Sequence, residues 1–286
     1  MDIPWTLGFI GAGVMADVMI GGLLAEEVLP PDHIIASDPN RTRLQQVHVT
    51  HGVRTLSDNR ALVEQCDVVI LAVKPQNLAE VMAELAGRLP EHTTVMSIVA
   101  GATIGVIRRG LRHEHVVRCM PNLPCRIRRG MTVWTAAGDR ADLARVRTIL
   151  RVMGEEIFVD HEEQVDQATA VNGTGPAIVA HFVKSMVEAA TYIGEPRQVA
   201  RDTVLATLIG TAEMIRVADR DGIHVAQLID DVTSPGGTTS RAIQVLKRGR
   251  FSAVVTESIE AAHARTLQLG EELERALAAA GADGSR

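Results

Sequence analysis

Aromatic side chains are scarce. They make up only 2% of the 286 residues, so aliphatic groups and Met must fill the core. So little aromatic surface also excludes the stacking platforms by which proteins hold unpaired bases. There is no surplus of positive charge either. The 29 Lys and Arg stand against 35 Asp and Glu, and a net charge of −6 offers nothing to a phosphate backbone. The short basic runs Arg108, Arg109, Arg112 and Arg126, Arg128, Arg129 read as solvated faces. No nucleic-acid partner is expected.

Cysteine is equally sparse. Cys66, Cys119 and Cys125 form no CxxC and no paired framework, which predicts free thiols in a reducing compartment. Ten histidines are present, but His48/His51 and His113/His115 lack the spacing and the thiolate or carboxylate company of a zinc site, so no metal is expected. Apolar runs are too short to span a membrane. The first of them, Leu7–Ile10, is broken at once by glycines and has no basic segment before it, unlike a secretory leader. These absences predict a cytoplasmic protein with no membrane partner. A hydrophobic fraction of 46% beside 22% charged residues is that of a globular chain, long enough for one large domain or two ordinary ones.

What is present falls into two rhythms. Trp5–Ile10 predicts a strand, Val14–Glu26 a helix and His33–Ser37 a second strand. Asp67–Val73 is an apolar run of strand length, the pattern of a central parallel strand covered on both faces. Thr94–Val99, Val116–Met120, Met131–Thr135 and Ile157–Val159 continue the series. Strands alternating with helices predict an α/β fold with a doubly wound parallel sheet. Beyond about Asp160 the strand signals stop, and Val165–Ile193, Arg197–Ala218, Val225–Val232 and Phe251–Leu273 carry apolar residues at helical spacing. An all-helical domain is expected there, with a boundary near Asp160–Gln164 and a frayed tail from Ala278.

The first strand runs into Gly11-Ala12-Gly13-Val14-Met15-Ala16, a GxGxxA fingerprint. Gly11 permits the tight turn, Gly13 lets the backbone approach a pyrophosphate, and Ala16 lets the helix pack close to the strand. Because the motif follows a strand and opens a helix at the start of a βαβ unit, it predicts dinucleotide binding on a Rossmann domain. Asp38 ends the second strand, where an acid accepts the ribose 2′-hydroxyl and favours NADH. Arg41 follows closely, and an arginine in this loop is the usual clamp for the 2′-phosphate of NADPH. The two signals leave NADH and NADPH both open.

Lys74-Pro75 stops the strand Asp67–Val73 at the carboxyl edge of the sheet, placing a cation where ligands of this fold bind. A solvated lysine at a strand end is the plainer alternative. Met120-Pro121-Asn122 ends another strand at the same edge, with Asn122 within reach of the cofactor, and Ser97–Gly101 makes a third such turn.

Two stretches in the helical half interrupt its periodicity. One is Asn172-Gly173-Thr174-Gly175-Pro176; the other is Thr233-Ser234-Pro235-Gly236-Gly237-Thr238-Thr239, just before the helix expected over Ser240–Lys247. Gly236 and Gly237 followed by Thr238 and Thr239 expose backbone amides and two hydroxyls, a small anion-binding nest. A helix cap is the alternative, though a cap needs one such residue and not seven.

The string TSPGGTT followed by RAIQVL resembles the signature of the pyrroline-5-carboxylate reductase family, and GFIGAGVMA, ILAVKP, RCMPN and GPA occur in that family's order and spacing. The resemblance reaches to about residue 270. It implies reduction of the cyclic imine 1-pyrroline-5-carboxylate, or a close analogue, to L-proline by NAD(P)H. It implies cofactor contacts at Ala12, Val14, Met15, Asp38, Asn59, Val73, Lys74 and Ala100. It also implies a substrate carboxylate on the loop amides, with Thr238 and Thr239 holding the substrate and a threonine hydroxyl, assigned to Thr239, near the ring nitrogen. It divides the chain into a cofactor domain, 1–162, and a helical domain for substrate binding and dimerisation, 163–286. The implied assembly is an intertwined homodimer, often built into a decamer. Family members usually read SGSGPAY where this chain has Asn172 through Ile178, and MPNTP where Leu123 stands; the stretch 218–225 is also a few residues longer. These departures lie near the expected substrate pocket and bear on which imine is bound.

Two other functions fit a Rossmann domain followed by helices. A 3-hydroxyacid dehydrogenase needs a lysine about one turn after the second-domain glycines, where this chain has Ile178 and Val179, with Lys184 too far along. A non-catalytic dinucleotide-binding protein is the third.

Overall fold

The computed structural model describes residues 5–138 and 142–283, with side chains as far as Ala279. The first part alternates strand and helix in the order β1 (Leu7–Ile10), α1 (Val14–Ala25), β2 (Ile34–Ser37), α2 (Arg41–His51), β3 (Arg54–Leu56), α3 (Asn59–Val63), β4 (Val68–Leu71), α4 (Pro75–Leu85), β5 (Thr94–Ser97), α5 (Ile104–Leu111), β6 (Val116–Met120), β7 (Gly130–Ala137), α6 (Leu143–Arg151) and β8 (Gly154–Phe158). A further helix, α7 (Glu163–Ala168), leads into a π-helical turn (Thr169–Gly173). Then come α8 (Gly175–Tyr192), α9 (Arg197–Arg220), α10 (Val225–Asp231), α11 (Thr238–Arg248) and α12 (Phe251–Asp283). The fraying expected of the tail concerns, for 284–286, residues outside those described; the backbone of α12 is helical to Asp283.

One eight-stranded sheet has the order β3-β2-β1-β4-β5-β6-β7-β8. The first six strands run parallel, so the order reverses between β1 and β4, where doubly wound sheets bind ligands. The strands β1, β2, β4 and β5 are buried along their whole length, because helices cover both faces. On one face Leu7, Phe9, Ile34 and Trp134 pack with Met19 and Ile20 of α1 and Ile149 and Leu150 of α6. On the other, Ile10, Ile35, Val69 and Leu71 pack with Met82 of α4 and Ile107 of α5.

The strand expected over Met131–Thr135 is present as β7 but runs antiparallel to β6. The segment 121–129 between them holds one short 3-10 turn, whereas a parallel crossover needs a dozen or more residues. β8 then pairs parallel to β7.

Two compact units emerge, Met1–Thr174 with Ala261–Arg286, and Gly175–Glu260. They divide the chain differently from a cut at residue 162. The helix α7 and the π turn pack on β6 and β7, and Leu273 near the end of α12 joins the core of the sheet. One tie is ionic. Arg118 of β6 is 2% exposed and reaches Glu162 at 3.0 Å and, by both terminal nitrogens, Asp166 of α7. Glu162 also accepts the Ile104 amide at the start of α5, at 2.6 Å. In the second unit, α8 turns into α9 at Gly194, which takes φ +103°. Of this unit's residues only Ala200, Val204 and Ala218 are buried, while Tyr192, Ile193, Ile209 and Val217 are exposed.

Candidate active site

The two fingerprint glycines play different parts. Gly11 takes φ +97°, and a Cβ there would lie 2.6 Å from the Ala72 carbonyl oxygen. Its amide donates to Ser37 O at 2.8 Å, so the turn is wedged between the ends of β2 and β4 at the point where strand order reverses. Gly13 sits at φ −73° and ψ −175°, extended backbone open to any residue, and a Cβ there would meet nothing closer than the Arg43 guanidinium at 3.7 Å. The fold therefore does not need a glycine at 13; the space beside it is what a close-approaching pyrophosphate needs. Helix α1 begins at Val14 with no side-chain cap, which leaves its first-turn amides for an anion. The residues present fit a dinucleotide. Met15 is half-buried in that first turn and Ala16 fully buried.

Asp38 is engaged inside the protein. One oxygen accepts the Ala12 amide at 2.9 Å and the other the Asn40 amide at 2.8 Å, so the carboxylate holds the fingerprint turn and the start of α2 together. Asn40 caps α2 through the Arg43 amide. A cleft of about 360 Å³ beside Gly13 is lined by Ala12, Val14, Asp17, Arg43, Gln46, Val47 and Thr50. Arg41 is exposed at the first position of α2 and does not line this cleft. Arg43 does, and its guanidinium lies 3.7 Å from where a Cβ on Gly13 would stand.

Further along the same edge, Val73 is half-buried and Lys74 is exposed as the N-cap residue of α4, with Pro75 at the first helical position. Among the described residues no ion pair holds Lys74. Asn59 opens α3, accepts the Ser37 hydroxyl at 2.6 Å and donates to Glu84 at 2.8 Å. Ala100 precedes Gly101, whose φ is +76° and whose missing side chain admits Leu269 and Gly270 of α12. Asn122 ends the β6 turn, but its side chain is spent on the protein: it accepts the Met131 amide at 3.0 Å and donates to Asn172 at 2.7 Å.

In the second unit, Gly236 takes φ +72°, and a Cβ at Gly237 would strike the Ser234 hydroxyl at 2.4 Å. Gly236 is held in the left-handed region that favours glycine, whereas Gly237 is extended backbone packed close against Ser234. The helix α11 starts two residues earlier than expected, at Thr238, and its N-cap residue is Gly237 with no side-chain cap bond. Thr238 and Thr239 are therefore first-turn residues whose hydroxyls do not cap the helix, which removes the plainer role considered for them.

Thiol chemistry finds no candidate. Burial pushes the Cys66 thiol up to about 12 and raises those of Cys119 and Cys125 as well. Among the described residues no group of three His, Cys, Asp or Glu could hold a metal ion, and no helix is long and apolar enough to cross a membrane.

Comparison with known proteins accounts for this arrangement. A family model described as pyrroline-5-carboxylate reductase dimerisation matches residues 162–269, and one described as NADP oxidoreductase, coenzyme F420-dependent, matches 6–101. A pyrroline-5-carboxylate reductase of Synechocystis is 36% identical over 93% of this chain and 98% of its own length. The chain belongs to the pyrroline-5-carboxylate reductase family. Pyrroline-5-carboxylate reductase 3 of Mus musculus is 33% identical over 95% of this chain and 98% of its own. Among solved structures, the Coxiella burnetii pyrroline-5-carboxylate reductase superposes with a TM-score of 0.80 at 33% identity, covering 93% of this chain and 99% of that one. The Plasmodium falciparum pyrroline carboxylate reductase, solved with NADP bound, gives 0.83 at 27% identity over 93% and 98%. The chain is thus an oxidoreductase that uses a nicotinamide dinucleotide, and its helical half carries a dimerisation module.

For a reductase of this family two residues stand out that the sequence patterns did not single out for these roles. Arg43 is two positions beyond the arginine that the loop position suggests, and about 200° of rotation along α2 decides which of them points at Gly13. Asn172 was visible as a departure from the family string, but not its bonding to Asn122.

Proposed function

We propose that this chain reduces the C=N bond of 1-pyrroline-5-carboxylate to give L-proline, the last step of proline biosynthesis. The carrying observation is the Thr233–Thr239 loop. Gly236 takes the left-handed backbone that the turn needs, the threonine hydroxyls are released from capping, and the α11 amides are open to a carboxylate. When bound, the reduced nicotinamide supplies a hydride to the imine carbon. The C=N electron pair passes to the ring nitrogen, which takes a proton from solvent or arrives already protonated. Loop amides of Gly236, Gly237 and Thr238 hold the carboxylate, and the Thr239 hydroxyl orients the ring nitrogen. Gly11 through Met15, Asp38, Asn59, Val73, Lys74 and Ala100 form the cofactor site, with Asn122 bracing its edge. The protein's part is alignment and exclusion of water.

The 3-hydroxyacid dehydrogenase alternative lacks the lysine that would polarise a carbonyl oxygen: Lys184 lies too far along α8 and is exposed, paired with Glu188 at 3.6 Å. Loss of NAD(P)H absorbance on adding pyrroline-5-carboxylate tests the activity, and no turnover would sink it. In the same assay Thr239→Ala should lower kcat/KM roughly ten- to a hundredfold, the ~1.5–3 kcal/mol of a hydrogen bond to a charged group. Cofactor affinity should stay at the wild-type value. Full activity in this variant would move the substrate site elsewhere.

Arg43 is the proposed partner of the 2′-phosphate of NADPH, and Asp38 that of the free ribose 2′-hydroxyl of NADH. Arg43→Ala should then reduce kcat/KM with NADPH about tenfold, one charge-assisted contact, and leave NADH within about twofold. An equal change with both cofactors would clear Arg43 of discrimination.

The helical unit, with three buried residues and exposed Tyr192, Ile193 and Ile209, supports a dimer in which a second copy covers these side chains. A decamer rests on the family resemblance alone. Three free, buried cysteines support a cytoplasmic location.

A further inference from the structure

The β6–β7 ladder pairs Met120 with Val133, which places Asn122 opposite Met131 two residues further on. Pro121 stops the ladder between them, because it has no amide to donate. Side chains finish the pairing. Asn122 Oδ1 takes the Met131 amide at 3.0 Å. Asn172 Nδ2, from the π turn, donates to Met120 O at 3.1 Å and to Met131 O at 2.9 Å. Asn172 Oδ1 accepts Asn122 Nδ2 at 2.7 Å, so the two amides close a ring of hydrogen bonds. The same turn packs closely on the strand end, since Gly173 lies against the Met120 side chain. A serine, which the family usually has at position 172, carries one O–H on a shorter stem and could satisfy at most one of the two carbonyls.

The turn held in this way lies at the carboxyl edge of the sheet. A dinucleotide spans the point where strand order reverses, with its adenosine ribose at the Asp38 end of β2. Its nicotinamide half therefore falls on the β4–β6 side, where Met120–Asn122 stands.

We propose that Asn172 is a positioning residue for hydride transfer: through Asn122 it fixes the Met120–Asn122 turn against which the nicotinamide ring is held. The proposal rests on the reductase reading for its kinetic arm only. The variant Asn172→Ser keeps the residue usual in the family and should fold; Asn122→Ala and the double variant complete a cycle. NAD(P)H affinity should remain near wild type, because the pyrophosphate and adenosine contacts are untouched, while the fluorescence of the bound nicotinamide should change. With pyrroline-5-carboxylate, kcat should fall about tenfold with KM little altered, and the isotope effect from 4-deuterated cofactor should rise. The two single variants should not be additive. Unchanged bound-nicotinamide fluorescence with unchanged kcat would overturn the proposal and leave Asn172 as a ladder cap with no part in catalysis. A fluorescence change in a protein whose wild type does not turn over the imine would sink the reductase reading and leave the positioning role standing.

Discussion

Gly13→Val should fold like the wild type and bind no cofactor. Backbone at position 13 is extended, and the room for a side chain is already there: the nearest atoms to a Cβ are Arg43 Nη1 at 3.7 Å and Ala72 O at 4.0 Å. Valine would fill the space that a pyrophosphate must enter. At least about a hundredfold loss of affinity is expected, ~2.8 kcal/mol, with a melting temperature close to wild type. NAD(P)H should no longer raise that melting temperature, as it must for any ligand that binds the native state. Gly11→Ala is the contrast. Its φ of +97° and a 2.6 Å approach to Ala72 O make it a folding lesion, whatever it does to binding. If Gly13→Val were destabilised as much as Gly11→Ala, or still gained stability from NAD(P)H, the cleft beside α1 would not be the pyrophosphate site.

That contrast shows how far a motif can be read without coordinates. The spacing GxGxxA after a strand was enough to place the turn, because only one backbone path joins a parallel strand to a covering helix so tightly. The motif also assigned the tight turn to Gly11; what no local pattern encodes is the obstacle itself, the Ala72 carbonyl sixty residues away that a side chain at 11 would strike. The parallel strands β1, β2, β4, β5 and β6 were legible from apolar runs, since burial on both faces leaves few polar residues in them. β3 was not: Arg54–Leu56 is an edge strand of three residues, partly exposed, with no apolar run to reveal it. The direction of β7 was implicit in the shortness of 121–129 but lay outside the strand pattern itself.

The site was legible in the same uneven way. Asp38 stands out by its offset from the fingerprint, yet its carboxylate is shared between two backbone amides, which position alone does not show. Arg41 and Arg43 differ by two residues on a helix, about 200° of rotation, so a loop-position rule could not choose between them. Asn172 to Thr174 broke the expected helix, and the break is a π turn that turns the Asn172 amide toward β6 and β7. One extra residue in a turn is the kind of irregularity that recurs at functional sites.

Arg118→Leu should cost about 3 kcal/mol or more. The guanidinium is 2% exposed between Glu162 and Asp166, whose side chains are 31% and 13% exposed. Removing the cation leaves Glu162 with the Ile104 amide and, among the described residues, leaves Asp166 with no hydrogen-bond donor. Breaking a buried pair from one side is expensive, roughly 3–5 kcal/mol, because the remaining charge stays buried; the partial exposure of Glu162 argues for the lower end. For a chain of this size that corresponds to a fall of roughly 6–12 °C in melting temperature. Arg118→Lys should recover only part of it, since an ammonium cannot present the planar fork that meets both carboxylates. Arg118→Leu combined with Asp166→Leu should be more stable than Arg118→Leu alone, because it removes the stranded charge and keeps the packing. A loss of 2 °C or less in Arg118→Leu would mean that these ions are solvated like a surface bridge. The tie between β6 and α7 would then have to come from packing, and among the described residues the Asn172 amide would be the polar link holding the π turn to the end of the strand.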